Sequence, residues 1–290
     1  MTTLSNVLQD LFRDMGLAQT RKITATGTTT TSIDTTLGSD GVDEGTIIVV
    51  TDAAGAAPEG EFGRITAFAS GTSTITHDAL TVATAAGDYI LMCRNDITLF
   101  DAIEVVNTAL RKLGHLTFVD TTTLDTAANQ TEYAAAVAWK YSQPSRIDIQ
   151  GITTDTNDNR WRTTRGWYYV PATANSTGLI VFTEQPVSPR DIRIWYRGAH
   201  ARVAAYNSYI DERIHPELIR KAALYEALNT LVANYGTGAD RDLVERRNLA
   251  ESEYRNARSE YPIWSQKRLH KYTSIDTSDD YNFVPGTVRL

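Results

Sequence analysis

Threonine is unevenly distributed along the chain, and this feature most constrains the fold. The sequence contains 40 threonines in 290 residues, of which 27 lie in residues 1–150. Only Thr230 and Thr237 lie in 201–262. Threonine is β-branched and stiff at χ1, so it favours strands over helix interiors. The distribution therefore predicts abundant β structure early in the chain and long helices in 201–262.

The composition excludes several classes of protein. Hydrophobic residues make up 42% of the chain and charged residues 22%, which is typical of a globular protein and not of a disordered one. No run approaches 18 consecutive apolar residues, so we expect no transmembrane helix. The first residues lack the basic and apolar regions of a secretory signal. The single cysteine, Cys93, excludes an internal disulfide and a multi-cysteine metal site.

Charge is also unevenly distributed. Residues 1–150 hold 9 basic and 18 acidic residues, a net charge of −9, while 151–290 hold the remaining 19 and 17, a net charge of +2. Phosphate binding needs clustered positive charge. The overall charge of −7 therefore argues against a protein whose whole surface binds nucleic acid.

Apolar spacing predicts four helices. The first covers 3–15, and the second covers 96–114, with a Thr98–Asp101 capping box at its start. Two more lie in 214–261, separated by the glycine-bearing stretch 234–238. Helices joined by so short a connection form an antiparallel hairpin.

The remaining segments predict strands. Short apolar runs between turn residues in 22–94 indicate a small all-β barrel or sandwich. In 115–200, the runs 178–182 and 191–196 flank a polar loop and predict a β-hairpin. The core of this region is expected to draw on five aromatic residues: Trp161, Trp167, Phe182, Trp195 and Tyr196.

The sequence lacks the common catalytic signatures. Phosphate-binding loops, zinc-protease helices, nucleophile elbows and paired-cysteine motifs are all missing. Cys93 lies in an apolar strand pattern, which favours a buried inert thiol over a nucleophile. We therefore expect no enzyme activity, no catalytic or metal site and no cofactor. The histidines are interpreted as structural or surface residues: His77, His115, His200, His215 and His270. Asp40, Asp43 and Glu44 superficially resemble a loop calcium site, but their spacing lacks the EF-hand pattern and a solvated turn is the favoured interpretation.

One aromatic stretch permits two interpretations. The aromatic residues of 161–169 are interleaved with Arg160, Arg162 and Arg165. This arrangement suits a platform that stacks on sugars or single-stranded bases. A strand core with exposed arginines is the favoured interpretation.

The order of these segments resembles a known family. A short N-terminal helix is followed by the helix 99–114, the tyrosine-bearing strand entry 131–133, the tryptophan-bearing run 192–197 and the helix 214–228. This order is similar to that of the head-to-tail adaptor (connector) proteins of tailed bacteriophages. The resemblance predicts an α+β fold: a helical adaptor frame of helix pairs and β-hairpins (1–21 and 95–262), an inserted all-β domain (22–94) and an extended C-terminal tail (263–290).

The resemblance also implies a function. Adaptors of this family form a ring of identical subunits, often twelve-fold, in the virion neck. The ring docks on the portal protein, joins the capsid to a downstream tail or stopper protein, and leaves a channel through which genomic DNA passes without specific binding. No membrane partner is expected.

The resemblance suggests two groups of binding residues. Apolar and basic tail residues would contact the portal: Trp264, Lys267, Arg268, Lys271, Tyr272, Tyr281, Phe283 and Val284. The second helix of the hairpin would supply the ring interface: Leu243, Arg247, Tyr254 and Arg258.

Three other functions remain open. The chain could be another neck, collar or tail subunit of a virion, since these share threonine-rich β structure. It could be a carbohydrate-binding β module that uses its aromatic residues. A sequence-specific DNA binder built on the 214–261 hairpin is disfavoured by a pI of about 5.3.

Overall fold

The computed structural model describes residues 1–38, 45–51, 59–139, 143–151, 161–173, 176–238 and 240–263. These residues divide into two compact units. The first comprises Met1–Gly114 and His200–Ile263, and the second is formed by His115–Ala199.

The first unit contains three helices that pack together, a fourth at their edge, and one sheet. Its helices are α1 (Leu4–Asp14), α2 (Leu99–Leu113), α3 (Pro216–Tyr235) and α4 (Arg241–Glu260). Its strands are β1 (Ala18–Lys22), β2 (Ala25–Thr28), β3 (Thr31–Ile33), β4 (Thr46–Thr51), β5 (Phe62–Ala69), β6 (Thr74–His77) and β7 (Tyr89–Cys93).

The second unit consists mainly of strands. They are β8 (Leu116–Asp120), β9 (Asp125–Thr126), β10 (Glu132–Ala134), β11 (Pro144–Gln150), β12 (Trp161–Thr164), β13 (Trp167–Val170), β14 (Leu179–Phe182) and β15 (Arg190–Gly198).

The predicted fold class, a helical adaptor frame with an inserted β domain, is wrong. The described residues form three antiparallel sheets of seven, five and three strands, with only four α-helices. The helices themselves begin and end close to the predicted residues. They do not form the frame, although their apolar stripes give a stronger sequence signal than the short threonine-rich strands do. Those strands carry their own cores.

The seven-stranded sheet closes on itself. Its order is β1-β7-β4-β5-β6-β3-β2, and β1 and β2 are consecutive parts of one stretch of chain, Ala18–Thr28. Both ends of the sheet therefore belong to the same segment. The interior is filled by isoleucines and by other apolar side chains: Ile23, Leu37, Ile47, Ile65, Ile75, Ile90 and Met92.

The helices of the first unit bury the apolar stripes that predicted them. Six residues of α1 and seven of α2 are buried, and both helices pack against α3. The predicted cap of α2 is confirmed, since Thr98 Oγ1 accepts a 3.1 Å hydrogen bond from the Asp101 backbone N–H. Buried Asn107 hydrogen-bonds both the N–H and the C=O of Val203 at 2.9 Å, which fixes the segment before α3.

The predicted hairpin in the second unit is also wrong. Strand β14 pairs with β10 and β13, whereas β15 pairs with β8, β9 and β11. The polar loop between them therefore carries the chain from one sheet to the other. The two sheets enclose one core that contains Trp139, Trp167 and Phe182. Consecutive β runs either pair or face each other across a core, and local pattern cannot distinguish these outcomes.

Candidate functional site

The α3–α4 hairpin is the candidate functional element. His215 caps α3, its Nδ1 accepting a 3.3 Å hydrogen bond from the Glu217 N–H, and Pro216 occupies the first helical position. A short 3₁₀ turn, Gly236–Gly238, ends the helix, and Asp240 stands at the N-cap position of α4. Both helices contain 20 residues.

Helix α4 packs along α3 through one of its sides. The rings of Tyr225 and Tyr254 stack with centroids 5.9 Å apart, and Lys221 Nζ lies 2.8 Å from Glu253 Oε2. Ala250 and Ala257 are the two residues of α4 that are fully buried. Small side chains at these positions allow the two backbones to approach closely. The attachment therefore depends on one narrow side of the helix.

The opposite side of α4 is exposed and of mixed charge. We call it the outer face and define it by Arg241, Glu245, Asn248, Leu249, Ser252, Arg255, Asn256 and Ser259, all of them exposed. Arg241 Nε lies 2.8 Å from Glu245 Oε1, and Arg255 Nη2 lies 2.5 Å from Glu251 Oε1. Leu249 is 62% exposed near the middle of this face. Exposed ion pairs contribute little stability, so the outer face is open to other partners.

The predicted interface residues lie on one stripe, but not at the centre of the outer face. Leu243 and Tyr254 are half-buried, and Tyr254 already stacks on α3. Arg247 lies 3.7 Å from Glu251, and its buried Nε has no hydrogen-bond partner among the described residues. Arg258 is exposed. Sequence reasoning selected the stripe next to the buried alanines and missed Leu249, because an apolar stripe does not reveal which side a neighbouring helix covers.

A cleft of about 290 Å³ opens beside the hairpin turn, within the first unit. Its apolar lining is supplied by the end of α1, the last turns of α3 and the first turn of α4: Met15, Leu17, Leu228, Leu231, Tyr235 and Leu243. Asp96, Asp240 and Arg246 add charged groups. No sequence pattern indicates this cleft, since its walls come from segments far apart in the chain.

The predicted portal-binding residues, from Trp264 to Val284, lie outside the described residues, as do His270, Arg160 and the acidic turn of Asp40, Asp43 and Glu44. The roles predicted for these residues therefore stay predictions.

The interpretation of Cys93 as a buried thiol is confirmed. Cys93 is 3% exposed, and burial raises the pKa of the thiol well above its usual range. Such a thiol stays protonated at neutral pH and is a poor nucleophile.

The histidines are held in structural roles at three positions. His77 is buried in the seven-stranded sheet, where its Nε2 lies 2.9 Å from Ser32 Oγ, and burial lowers its pKa. His200 Nε2 accepts a 2.8 Å hydrogen bond from the Asp211 N–H. His215 caps α3 and stacks on Tyr261 with centroids 3.8 Å apart, while His115 is exposed. The described residues contain no group of three or more histidine, cysteine or acidic side chains arranged to hold a metal ion.

Among the described aromatic residues of 161–169, Tyr168 is 48% exposed, and the others are buried or half-buried. Trp167 and Tyr169 are buried in the core, as the favoured interpretation predicts. The guanidinium of Arg193 covers the ring of Trp161 at 4.0 Å, and that of Arg146 lies 5.4 Å from the ring of Trp195.

A buried carboxylate in the second unit was missed by sequence reasoning. Asp148 is fully buried and accepts hydrogen bonds from Arg146 Nε at 2.6 Å, Thr163 Oγ1 at 2.8 Å and Trp195 Nε1 at 2.8 Å. Arg146 lies on its own strand β11, whereas Thr163 and Trp195 come from the neighbouring strands β12 and β15, so no local sequence motif indicates the site. Because the carboxylate is satisfied by three donors, it serves to hold the sheet together.

Within the residues that the structure describes, no helix combines the length and apolar character needed to cross a bilayer. A scan against known protein families finds no match to this chain, and a search of curated proteins finds no significant match.

Proposed function

We propose that the protein is a structural subunit of the neck of a tailed-bacteriophage virion, a head-to-tail adaptor. It would form a homo-oligomeric ring that docks on the portal protein, contacts a tail or stopper protein below, and leaves a channel for DNA. The observation that carries the proposal is the exposure of α4, a 20-residue helix with only two buried residues. The proposal concerns assembly and does not depend on the helical frame, which is wrong.

The exposure of α4 supports self-assembly for an energetic reason. Most of the stability of a protein helix comes from packing one face on its neighbours. In a single copy, α4 packs mainly on α3, and its outer face has no covering element among the described residues. If the outer face packs on a different surface of a second copy, the contact is heterologous, and such contacts generate rings when the rotation closes.

The chemistry of the outer face suits such an interface. Arg241, Glu245 and Arg255 carry both signs of charge within one helix side. Their internal ion pairs are exposed and weak, so they can be exchanged for pairs with another copy at little cost. Leu249 would supply an apolar contact near the middle.

The C-terminal tail would provide the portal contact. Trp264, Tyr272, Tyr281, Phe283 and Val284 would serve as anchors, and the basic group Lys267, Arg268 and Lys271 would match charge and register. In a ring, many tails are presented together, so weak individual contacts combine into strong attachment.

The charge distribution is consistent with DNA passage. Residues 1–150 carry a net charge of −9. A lumen lined by acidic residues would repel phosphates and let DNA slide without being retained.

The mass of the assembly in solution tests the proposal. Native mass spectrometry of the full chain, alone and with a purified portal protein, is expected to reveal a ring-sized species. Leu249→Glu should reduce ring formation, since it places a charge within the proposed interface. Val187→Glu is the matched control, because Val187 is similarly exposed, at 67%, but lies in the second unit.

Two results would contradict the proposal. A chain that stays monomeric at high concentration and in the presence of the portal protein cannot be a ring adaptor. A ring that never binds a portal protein would instead indicate another collar or tail subunit. Specific retention on a glycan array would favour the carbohydrate-binding alternative, which the burial of Trp167 and Tyr169 disfavours.

A further inference from the structure

The cleft beside the hairpin turn has an apolar floor and an incomplete cover. Leu228 and Leu231 are buried in its wall, whereas Leu17 and Leu243 are half-buried and Tyr235 is 57% exposed. Clefts of this kind bind side chains that bring apolar surface with a few matching polar groups. An occupant that fills this cleft would bury the exposed parts of these three residues.

The charged groups of the cleft favour a basic occupant. Asp240 stands at the N-cap position of α4, yet its side chain makes no capping hydrogen bond. Asp96 lies on the same rim and has Arg94 3.2 Å away. The only cation that lines the cleft in the described residues, Arg246, already donates a 3.0 Å hydrogen bond from Nη2 to the carbonyl of Met15. The carboxylate of Asp240 is thus available to a partner.

The C-terminal segment contains an occupant of matching composition. Residues 264–275 combine basic side chains with apolar ones, whereas acidic residues follow at 276–280. The basic residues are Lys267, Arg268 and Lys271, and the apolar ones include Leu269, Tyr272 and Ile275.

Distance indicates that this occupant comes from another copy. Helix α4 begins at the cleft and ends beside His215, at the far end of the hairpin. Twenty helical residues span about 30 Å, which takes roughly nine extended residues to retrace. A tail that returned to its own cleft would therefore bring residues after about 272, including Asp276, Asp279 and Asp280, to an acidic rim. The basic residues Lys267, Arg268 and Lys271 can therefore reach only a cleft that lies close to the end of their own α4, and that cleft must belong to another copy.

We infer that residues 264–275 of one copy bind in the cleft beside the α3–α4 turn of the next copy, with basic side chains at Asp240 and Asp96 and apolar ones against Leu243 and Tyr235. The inference rests on the proposed ring. It assigns different roles to two parts of the tail. Residues 264–275 then bind the next copy instead of the portal, and the portal contact proposed above narrows to Tyr281, Phe283 and Val284.

Disulfide trapping in the full chain tests this inference. The double variant Leu243→Cys/Leu269→Cys places one thiol in the cleft and one in the tail, and native Cys93 is buried and does not compete. Under mild oxidation, we expect chains linked to each other, seen as a ladder of multimers on a non-reducing gel. The matched control, Leu243→Cys/Val284→Cys, should yield at least fivefold less of this ladder.

Charge reversal provides a second measurement that needs no cysteine. Asp240→Lys should raise the concentration needed for half-assembly about two- to fivefold, the range for a partly exposed ion pair. Lys267→Glu combined with Lys271→Glu should restore assembly in the Asp240→Lys background. Asp242→Lys is the control, because Asp242 lies in the same first turn of α4 but does not line the cleft.

The outcomes separate the two proposals. Linked chains together with charge rescue support the inference. A disulfide only within single chains overturns it in favour of the chain's own tail. Rings that form without any trapped disulfide and without rescue overturn the inference and leave the adaptor function standing. A chain that forms no oligomer with or without a portal protein overturns both.

Discussion

Helices α3 and α4 have the same length and adjoin each other in the first unit, yet they differ greatly in burial. Nine residues of α3 are buried, including the carboxylate-bearing Glu226, against two of α4. Helix α3 packs on α1, α2 and α4, whereas α4 packs mainly on α3. The length and regularity of a helix therefore do not indicate how deeply it is buried. One helix organises a core, and the other presents a surface.

The largest expected difference is in the cost of deleting a leucine. Leu218→Ala in α3 should lower the free energy of unfolding by about 3 kcal/mol, because Leu218 is 1% exposed and its loss leaves a cavity. Leu249→Ala in α4 should change it by less than about 0.5 kcal/mol. Denaturant unfolding at low protein concentration measures both. Equal costs would mean that α4 is part of the core of a single copy.

Ion pairs extend the comparison. Lys112 Nζ contacts both oxygens of Glu226, at 2.8 and 2.7 Å, and Lys112→Met would leave that buried carboxylate without its cation. We expect a loss of about 2 kcal/mol. Arg255→Met on α4 should cost less than about 0.5 kcal/mol. Combining Lys112→Met with Glu226→Gln should recover much of the loss, as denaturant unfolding would measure. No recovery would show that the lysine acts through packing alone.

The close approach of the two helices can be tested by adding volume. Ala250→Leu should destabilise the chain by about 1.5 kcal/mol, since Ala250 is 3% exposed against α3. Ser252→Leu, two residues away on the outer face, should have almost no effect on unfolding. If both variants unfold like the original chain, α4 is held more loosely than its contacts indicate.

The smallest expected effect on stability comes from Asp10, a carboxyl on α1 that interacts with Arg220 on α3. Burial raises the pKa of Asp10 on α1, an effect partly offset by Arg220 on α3. The carboxyl of Asp10 therefore binds a proton more readily in the folded state than in the unfolded state. As pH rises above about 3.9, its ionisation lowers the free energy of unfolding. Asp10→Asn should stabilise the chain at pH 7 by a few tenths of a kcal/mol.

Asp242, in the first turn of α4, supplies the contrasting control. Asp242→Asn removes a negative charge from the positive end of a helix dipole and should slightly destabilise. Thermal unfolding at pH 7 and pH 4 distinguishes the two signs. A stability gain for Asp10→Asn that persists at pH 4 would exclude the titration of Asp10 as its cause.

The helices were predictable because their signals are local. The apolar spacing of α1 and α2, the Thr98 cap and the start of α3 at Pro216 all lie within a few residues of the features they determine. The burial of Cys93 followed from the apolar strand around it. The pairing of β14 and β15 with different sheets did not follow, because it depends on which distant strands complete each sheet.

The candidate site was less predictable than the helices. The stripe of Leu243, Arg247, Tyr254 and Arg258 was recognisable as one side of a helix, but sequence pattern could not reveal that α3 partly covers it. Leu249 offered no signal, since a lone leucine among polar residues is common on surfaces. The cleft could not be foreseen, because Leu17, Leu228 and Leu243 are brought together only by packing.

The sequence by itself therefore determined the positions and ends of the helices, the β character of the threonine-rich segments and the inertness of Cys93. The tertiary structure alone decided that sheets dominate the described residues, that Asp148 is satisfied by three strands, and that α4 lies at the edge with a cleft at its start. The physical reason is the range of the interactions. Caps, turns and amphipathic stripes act within a few residues, whereas burial is a property of the whole packed chain.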